Sequence, residues 1–431
     1  MRRITKVGVA VAGLPILLAA CSSGSSGSSS GGGGGGAATS SAAGGGGTLV
    51  VWADNSANTA KAIEPLCQAW AQANGVTCTV KKFNGGGDLQ EALVKGSASG
   101  GEVPDVFEAA HNGIGTLVKN GLLTPIDLSA NTSKLLPSAV AGVTNGGNTY
   151  GVPWALENVG LFTNKELAPN CPSTLDEAVS NAKTLIASGK ATSGLGIAMQ
   201  IGDKGDFYHW FPMYTADGGY AFKQNADGTF DIKDLGIGKE GSVAAGKRLK
   251  TLVDEGILKP SVSYDIAKES FAGGKSPYMI SGPWSTPDLK AKLADKLMLC
   301  PVPPWQGSSN KAIPFLGVRV FFQAAKAKNA ALASTFLNDE VMTTAFQDGM
   351  YKIDPRPSAW VESLATESSD AIVKAFGEYG KQGIPMPAVP QMDAVFAEGG
   401  LAQYKIATGA DAQATMTSAA DSIAKTNAAL G

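Results

Sequence analysis

Between Ser22 and Gly47 the chain contains only glycine, serine, alanine and threonine. Such a stretch has no apolar surface to offset the entropy of ordering, so no core can be built from it and the folded body must lie in residues 48–431. As a flexible coil it spans roughly 25–30 Å r.m.s., which is the property of a tether.

What precedes the tether fits that reading. Arg2, Arg3 and Lys6 lead into the uncharged stretch Val7 to Ala20, which ends in small side chains; this is the layout of an export signal and is too short to span a bilayer comfortably. Leu18-Ala19-Ala20-Cys21 resembles a lipobox, so Cys21 is the expected lipidated N-terminus, anchoring an extracytoplasmic body to the cell membrane through lipid alone. Of 35 basic residues, Arg2, Arg3 and Lys6 precede the body, leaving 32 against 37 acids and no basic stripe, which argues against nucleic acid as a partner. Two histidines, His111 and His209, cannot build a His-rich metal site, and no metal or cofactor is expected. Outside the cytoplasm the four cysteines after Cys21 are expected to pair, and three pairings are possible. A reversal at Gly75 can bring Cys67 to Cys78, which leaves Cys171 and Cys300 as the second candidate pair.

Residues 48–430 alternate between two periodicities. Thr48–Trp52 is an apolar strand, Thr59–Asn74 places Ile63, Leu66, Cys67 and Trp70 at helical spacing, and Cys78–Phe83 is strand-like again. Helix Asp88–Ser99, strand Asp105–Ala109 and helix Gly113–Asn120 continue the pattern. A second series opens with strand Val159–Thr163, a helix started by the capping-box spacing Thr174-x-x-Glu177 and ended by Gly189, and strand Leu195–Met199. Helix Val243–Glu255, strand Pro277–Ser281 and the Ala-rich helix Asp411–Leu430 follow. The fold class is α/β. Phe207, Phe211 and Tyr214 fall on helical spacing, with Pro212 expected to limit that helix.

Familiar catalytic signatures are missing. Gly274-Lys275-Ser276 lacks the upstream glycine of a P-loop, that position being Glu269, and HExxH does not occur. Glu157 and Asp206 could be cast as a glycosidase pair. More prominent are aromatic residues beside hydroxyl-bonding ones: Trp154 near Glu157-Asn158, Asp206-Phe207-Tyr208-His209-Trp210, Ser281-Gly282-Pro283-Trp284, and Gln391 with Phe396. A sugar ring has apolar faces that stack on aromatic planes and a rim of hydroxyls that need polar partners, so this mixture suits carbohydrate.

Leu49-Val50-Val51-Trp52, Pro104-Asp105-Val106-Phe107, Asn120-Gly121-Leu122-Leu123, Tyr150-Gly151-Val152-Pro153 and Thr163-Asn164-Lys165-Glu166-Leu167 occur in that order. Ala216-Asp217-Gly218-Gly219-Tyr220-Ala221-Phe222-Lys223, Ser281-Gly282-Pro283-Trp284, Pro314-Phe315-Leu316-Gly317-Val318 and Met386-Pro387-Ala388-Val389-Pro390-Gln391-Met392 follow. In this series the chain resembles the maltose/maltodextrin-binding proteins, the extracellular receptors of bacterial ABC sugar importers. The resemblance implies a two-lobed periplasmic-binding-protein-like fold with a ligand cleft between lobes joined by three chain crossings. The lobes would be 48–155 plus 320–357 and 156–319 plus 358–431. It implies sugar contacts from Glu157, Asp206, Tyr208 and Trp284, from Asn112 where the family has an acid, and from Phe396 where its best-known member has a tryptophan. Asp54 in the loop after Trp52, Trp154 and Met386 complete the candidate set. Gly113 replaces that member's arginine and Ala109 its tryptophan, so a bidentate hydroxyl clamp is lost.

The expected protein is therefore a monomeric, non-enzymatic receptor that closes around maltose or a malto-oligosaccharide and is read by membrane permease subunits. Trehalose or another α-glucoside is the alternative ligand, and an extracellular glycosidase the alternative class.

Overall fold

The computed structural model describes residues 46–54 and 58–430; the export signal, Cys21 and the tether up to residue 45 lie outside them. Strand β1 (Thr48–Asp54), whose last four residues are all buried, lies parallel to β2 (Thr77–Phe83) on one side and to β3 (Val106–Ala110) on the other. Helix Thr59–Ala73 joins the first two and buries Ala60, Ile63, Cys67 and Trp70, one helical stripe, against them. Cys67 lies at disulfide distance from Cys78 on β2, the Cα atoms 6.0 Å apart.

Strand β4 (Val152–Glu157) leads out of this sheet into β5 (Gly160–Asn164), the start of a second one. There β6 (Ile197–Ala198), β7 (Tyr278–Ser281) and β8 (Leu297–Cys300) complete the order β8-β5-β7-β6. Neighbouring residues in its strands enter different cores: Leu161, Ile280 and Cys300 one, Phe162, Met279 and Leu299 the other. Side chains alternate across a sheet, so helices cover both faces, as the unbroken apolar runs require. Cys171 and Cys300 form the second pair at disulfide distance, Cα atoms 5.6 Å apart.

Strand β9 (Phe315–Gln323) returns to the first sheet and inserts antiparallel between β3 and β4, and β10 (Ile384–Pro385) pairs with its start. Phe315 belongs to the second sheet's core, whereas Val318, Val320, Phe321 and Phe322 belong to the first. The chain thus passes between two cores three times: between Ala155 and Val159, within β9, and between Trp360 and Ile372. This is the two-lobed α/β fold. Among the described residues no helix is long and apolar enough to cross a membrane.

One local expectation fails. Pro212 does not limit its helix, which runs Phe207–Ala216 through it, and every residue of that helix but Tyr208 is buried. Packing of Phe207, Trp210, Phe211 and Tyr214 against one another outweighs the lost backbone hydrogen bond.

Candidate ligand-binding cleft

A cleft of about 480 Å³ lies between the two cores. From the first come Ala110 and Asn112 at the end of β3, Arg319 on β9 and Arg356; from the second come Gln200, Tyr208, His209, Tyr264, Trp284 and Phe396. Glu157 lines it where the chain first passes between the lobes, and Met386, of the second core, lines it directly after β10.

The Tyr208 and His209 side chains are set by how their helix begins. Asp206 is its N-cap: Oδ1 accepts from the His209 backbone N–H at 2.8 Å, and Oδ2 lies 3.0 Å from His209 Nδ1. The Asp206 N–H itself donates to Gln403 Oε1 on helix Gln391–Ala407. That helix can come so close because it carries no side chains at Gly399-Gly400. A Cβ on Gly205, whose φ is +72°, would sit 1.6 Å from the Gly400 carbonyl oxygen, and one on Gly399 would meet the Phe207 ring at 2.9 Å. Across the cleft floor, Trp284 follows β7 in the single turn Pro283–Ser285, and a Cβ on Gly282 would lie 2.1 Å from its indole. The indole meets the His209 ring nearly perpendicularly with centroids 5.6 Å apart, and Tyr208 at 6.1 Å. Phe315 backs this group, stacked on Tyr208 at 6.2 Å and tilted toward Phe396 at 5.7 Å.

The opposite wall is ionic. Arg319 donates to both carboxylate oxygens of Glu108, at 2.8 and 2.6 Å, and reaches Asp54 at 3.4 Å. Arg356 pairs with Glu157 and, at 3.1 Å, with Asp354. Thr59 Oγ1 completes this pair, donating to Asp354 at 2.6 Å and accepting from Arg356. Trp154 supports both clusters: its indole N–H donates to Glu108 at 2.9 Å and its ring lies 5.5 Å from the Arg356 guanidinium. Burial pushes the Glu108 carboxyl above its ordinary value while Arg319 pulls it back toward charge. Burial, with Glu157 next, holds the Tyr208 phenol well above its usual range, so it remains a donor. His111 is buried behind Asn112 and pushed down to about 4. It is therefore neutral, its Nδ1 accepting from the Val318 N–H at 3.0 Å and its Nε2 bound to the Met386 carbonyl at 3.1 Å.

Of the nine residues expected at the ligand, the fold brings Asn112, Glu157, Tyr208, Trp284, Met386 and Phe396 to one cavity. Asp54, Trp154 and Asp206 stand behind it, holding Arg319, Glu108 and His209 respectively. Residues 55–57 of the loop after Trp52 lie outside the described part. Arg319 and Arg356 escaped sequence reasoning, and His209 was singled out only within the run Asp206–Trp210, not among the nine. For Arg319 a signal existed: one cation inside an otherwise uncharged nine-residue strand must have buried partners, and partners imply a polar site.

A family description, bacterial extracellular solute-binding protein, matches residues 65–376. The chain is 27% identical over 351 residues to a maltooligosaccharide ABC transporter solute-binding lipoprotein of Streptococcus pneumoniae, covering 78% of each chain. It is 28% identical to a maltodextrin-binding protein of Bacillus subtilis, over 84% of this chain and 85% of that one. A galactooligosaccharide-binding protein of the same species is 26% identical, over 86% and 88%. A cleft between two lobes, walled by rings on one side and ion pairs on the other, is a binding architecture, and the chain belongs to the bacterial extracellular solute-binding proteins: it is a receptor, not an enzyme.

Proposed function

We propose that this protein is the sugar-binding component of an ABC importer and takes maltose or a malto-oligosaccharide into the cleft between its lobes. The observation that carries this reading is the make-up of that cleft: Tyr208, Trp284 and Phe396 offer ring faces, while Glu157, Arg319 and Arg356 offer charged hydrogen-bonding groups opposite them. Asn112 and Met386 would complete the contacts. Relatives named for maltooligosaccharide and maltodextrin support the substrate class. The relative named for galactooligosaccharide, of similar identity, makes a galacto-oligosaccharide the second reading. A first lobe of 48–155 plus 318–360 and a second of 159–315 plus 372–430, which moves Val318, Arg319 and Trp360 to the first lobe relative to the limits read from sequence, belong to the same proposal, as do a lipid on Cys21 and a monomeric state; the body would then sit outside the cytoplasm, within reach of permease subunits.

The test is a thermal-shift panel of maltose, maltotriose, maltotetraose, trehalose and galactobiose on the purified body. Malto-oligosaccharides should raise the melting temperature most, because a ligand at a hundred times its Kd adds about 2.7 kcal/mol to folding stability. A shift only with galactobiose transfers the assignment to the second reading, and no shift with any sugar removes it.

A further inference from the structure

Two buried side-chain atoms on the second lobe's wall have no hydrogen-bond partner: Tyr208 Oη and His209 Nε2. A buried polar atom without a partner is costly, and both belong to residues that line the cleft. His209 is only 7% exposed, so bulk water is a poor substitute for a partner. Its other ring nitrogen faces Asp206 Oδ2, which as a carboxylate can only accept. In the neutral ring that contact places the proton on Nδ1 and leaves a lone pair on Nε2.

We propose that His209 Nε2 accepts a hydrogen bond from a hydroxyl of the bound sugar, and that Asp206 acts on the ligand only through His209, as a positioning residue that selects its tautomer. The inference rests on the sugar reading of the cleft. Trp284, whose ring stands at 80° to the imidazole with centroids 5.6 Å apart, supplies the apolar face beside which that hydroxyl would lie. The selected feature is a hydroxyl donor: a fluorine or hydrogen in its place cannot donate to Nε2.

The chain's two histidines make the first measurement simple. Nitrogen-15 imidazole spectra of the sugar-free protein at pH 7.5 should show opposite neutral tautomers. His209 should be protonated on Nδ1 and His111, whose Nδ1 accepts from Val318, on Nε2. Binding is then measured on D206N, H209A and the double variant, with H209Q, whose amide oxygen can accept, as the conservative variant. D206N keeps the helix cap but presents an amide N–H to Nδ1, turning Nε2 into a donor. D206N and H209A should each bind about tenfold more weakly. The double variant should be no weaker than H209A alone, and H209Q should recover part of the loss. Across deoxy- and deoxyfluoro-maltoses, one position should matter to wild type and be indifferent to H209A. An Nε2-protonated or doubly protonated His209, wild-type affinity in H209A, or fully additive losses in the double variant would each overturn the proposal. Additive losses would return Asp206 to direct sugar contact. A wild-type protein that binds no sugar in the panel removes the proposed function, and this inference with it.

Discussion

Trp284 illustrates how a ring can be placed in a cleft at small cost in backbone order. The strand before it is buried, the turn is stiffened by Pro283, and Gly282 leaves room under the indole that any Cβ would occupy. Trp284→Ala should therefore weaken sugar affinity by about 2–3 kcal/mol, roughly 30- to 150-fold, and leave the melting temperature nearly unchanged. Calorimetric titration and thermal unfolding of the same sample decide it; a large fall in melting temperature with unchanged affinity would assign the indole to the core. Glu367 makes a different prediction. Burial pushes its carboxyl up to about 8, while one oxygen accepts from the Ser358 N–H at 2.9 Å. The folded state thus holds a proton that the unfolded chain releases above pH 4.5. Its contribution is complete below that pH, declines as pH rises toward 8 and is gone above, a span worth on the order of 5 kcal/mol. Glu367→Gln, which mimics the protonated form, should flatten the fall in stability between pH 5 and 8; chemical denaturation across that range measures it, and parallel wild-type and variant curves would count against it.

Elements were legible where one local cause dominated. Thr174 caps helix Leu175–Ala187 by accepting from the Glu177 N–H at 3.1 Å, as its spacing predicts, although the Glu177 carboxylate is held mainly by Ser173. Thr59–Ala73 and Tyr278–Ser281 fall within a residue or so of their expected bounds, because apolar periodicity and a following break set them. Elements whose causes are distant were not legible. Pro212 sits inside a helix because four rings of that helix pack against one another, and β6 shrinks to Ile197–Ala198 because only two residues find a partner on β7. The ionic wall was hidden for the same reason: Arg319 and Glu108 are 211 residues apart and meet only when β9 inserts beside β3. The cysteine pairs were within reach because a reversal at Gly75 brings one pair together and leaves the other. Their loops differ: 11 residues separate Cys67 from Cys78 and 129 separate Cys171 from Cys300. Loop-closure entropy then assigns about 3 kcal/mol to the first and about 5 to the second. Replacing each pair with alanines and comparing urea midpoints should show the larger loss for Cys171/Cys300; the reverse order would refute the entropic account.

At the scale of the whole molecule, the three passages between lobes are packed against one another at the cleft floor. Glu157, at the end of the first, pairs with Arg356, just before the third; a Cβ on Gly317, in the second, would lie 2.9 Å from the Glu157 side chain. The proposed closure would thus pivot about a buried, ion-paired strip, while Trp284, Tyr208 and His209 on one side and Asn112 and Arg319 on the other are carried by separate lobes. A sugar that touches both walls stabilises the closed arrangement by the contacts it makes only there, and shifts the population by that difference alone. Saturating maltotriose should therefore reduce the radius of gyration seen by small-angle scattering as well as raise the melting temperature. Trp284→Ala, once saturated, should contract equally, since the remaining contacts still bridge the lobes and only more sugar is needed. A melting-temperature rise without contraction would mean that the sugar is held by one lobe alone, and the proposed closure would fall.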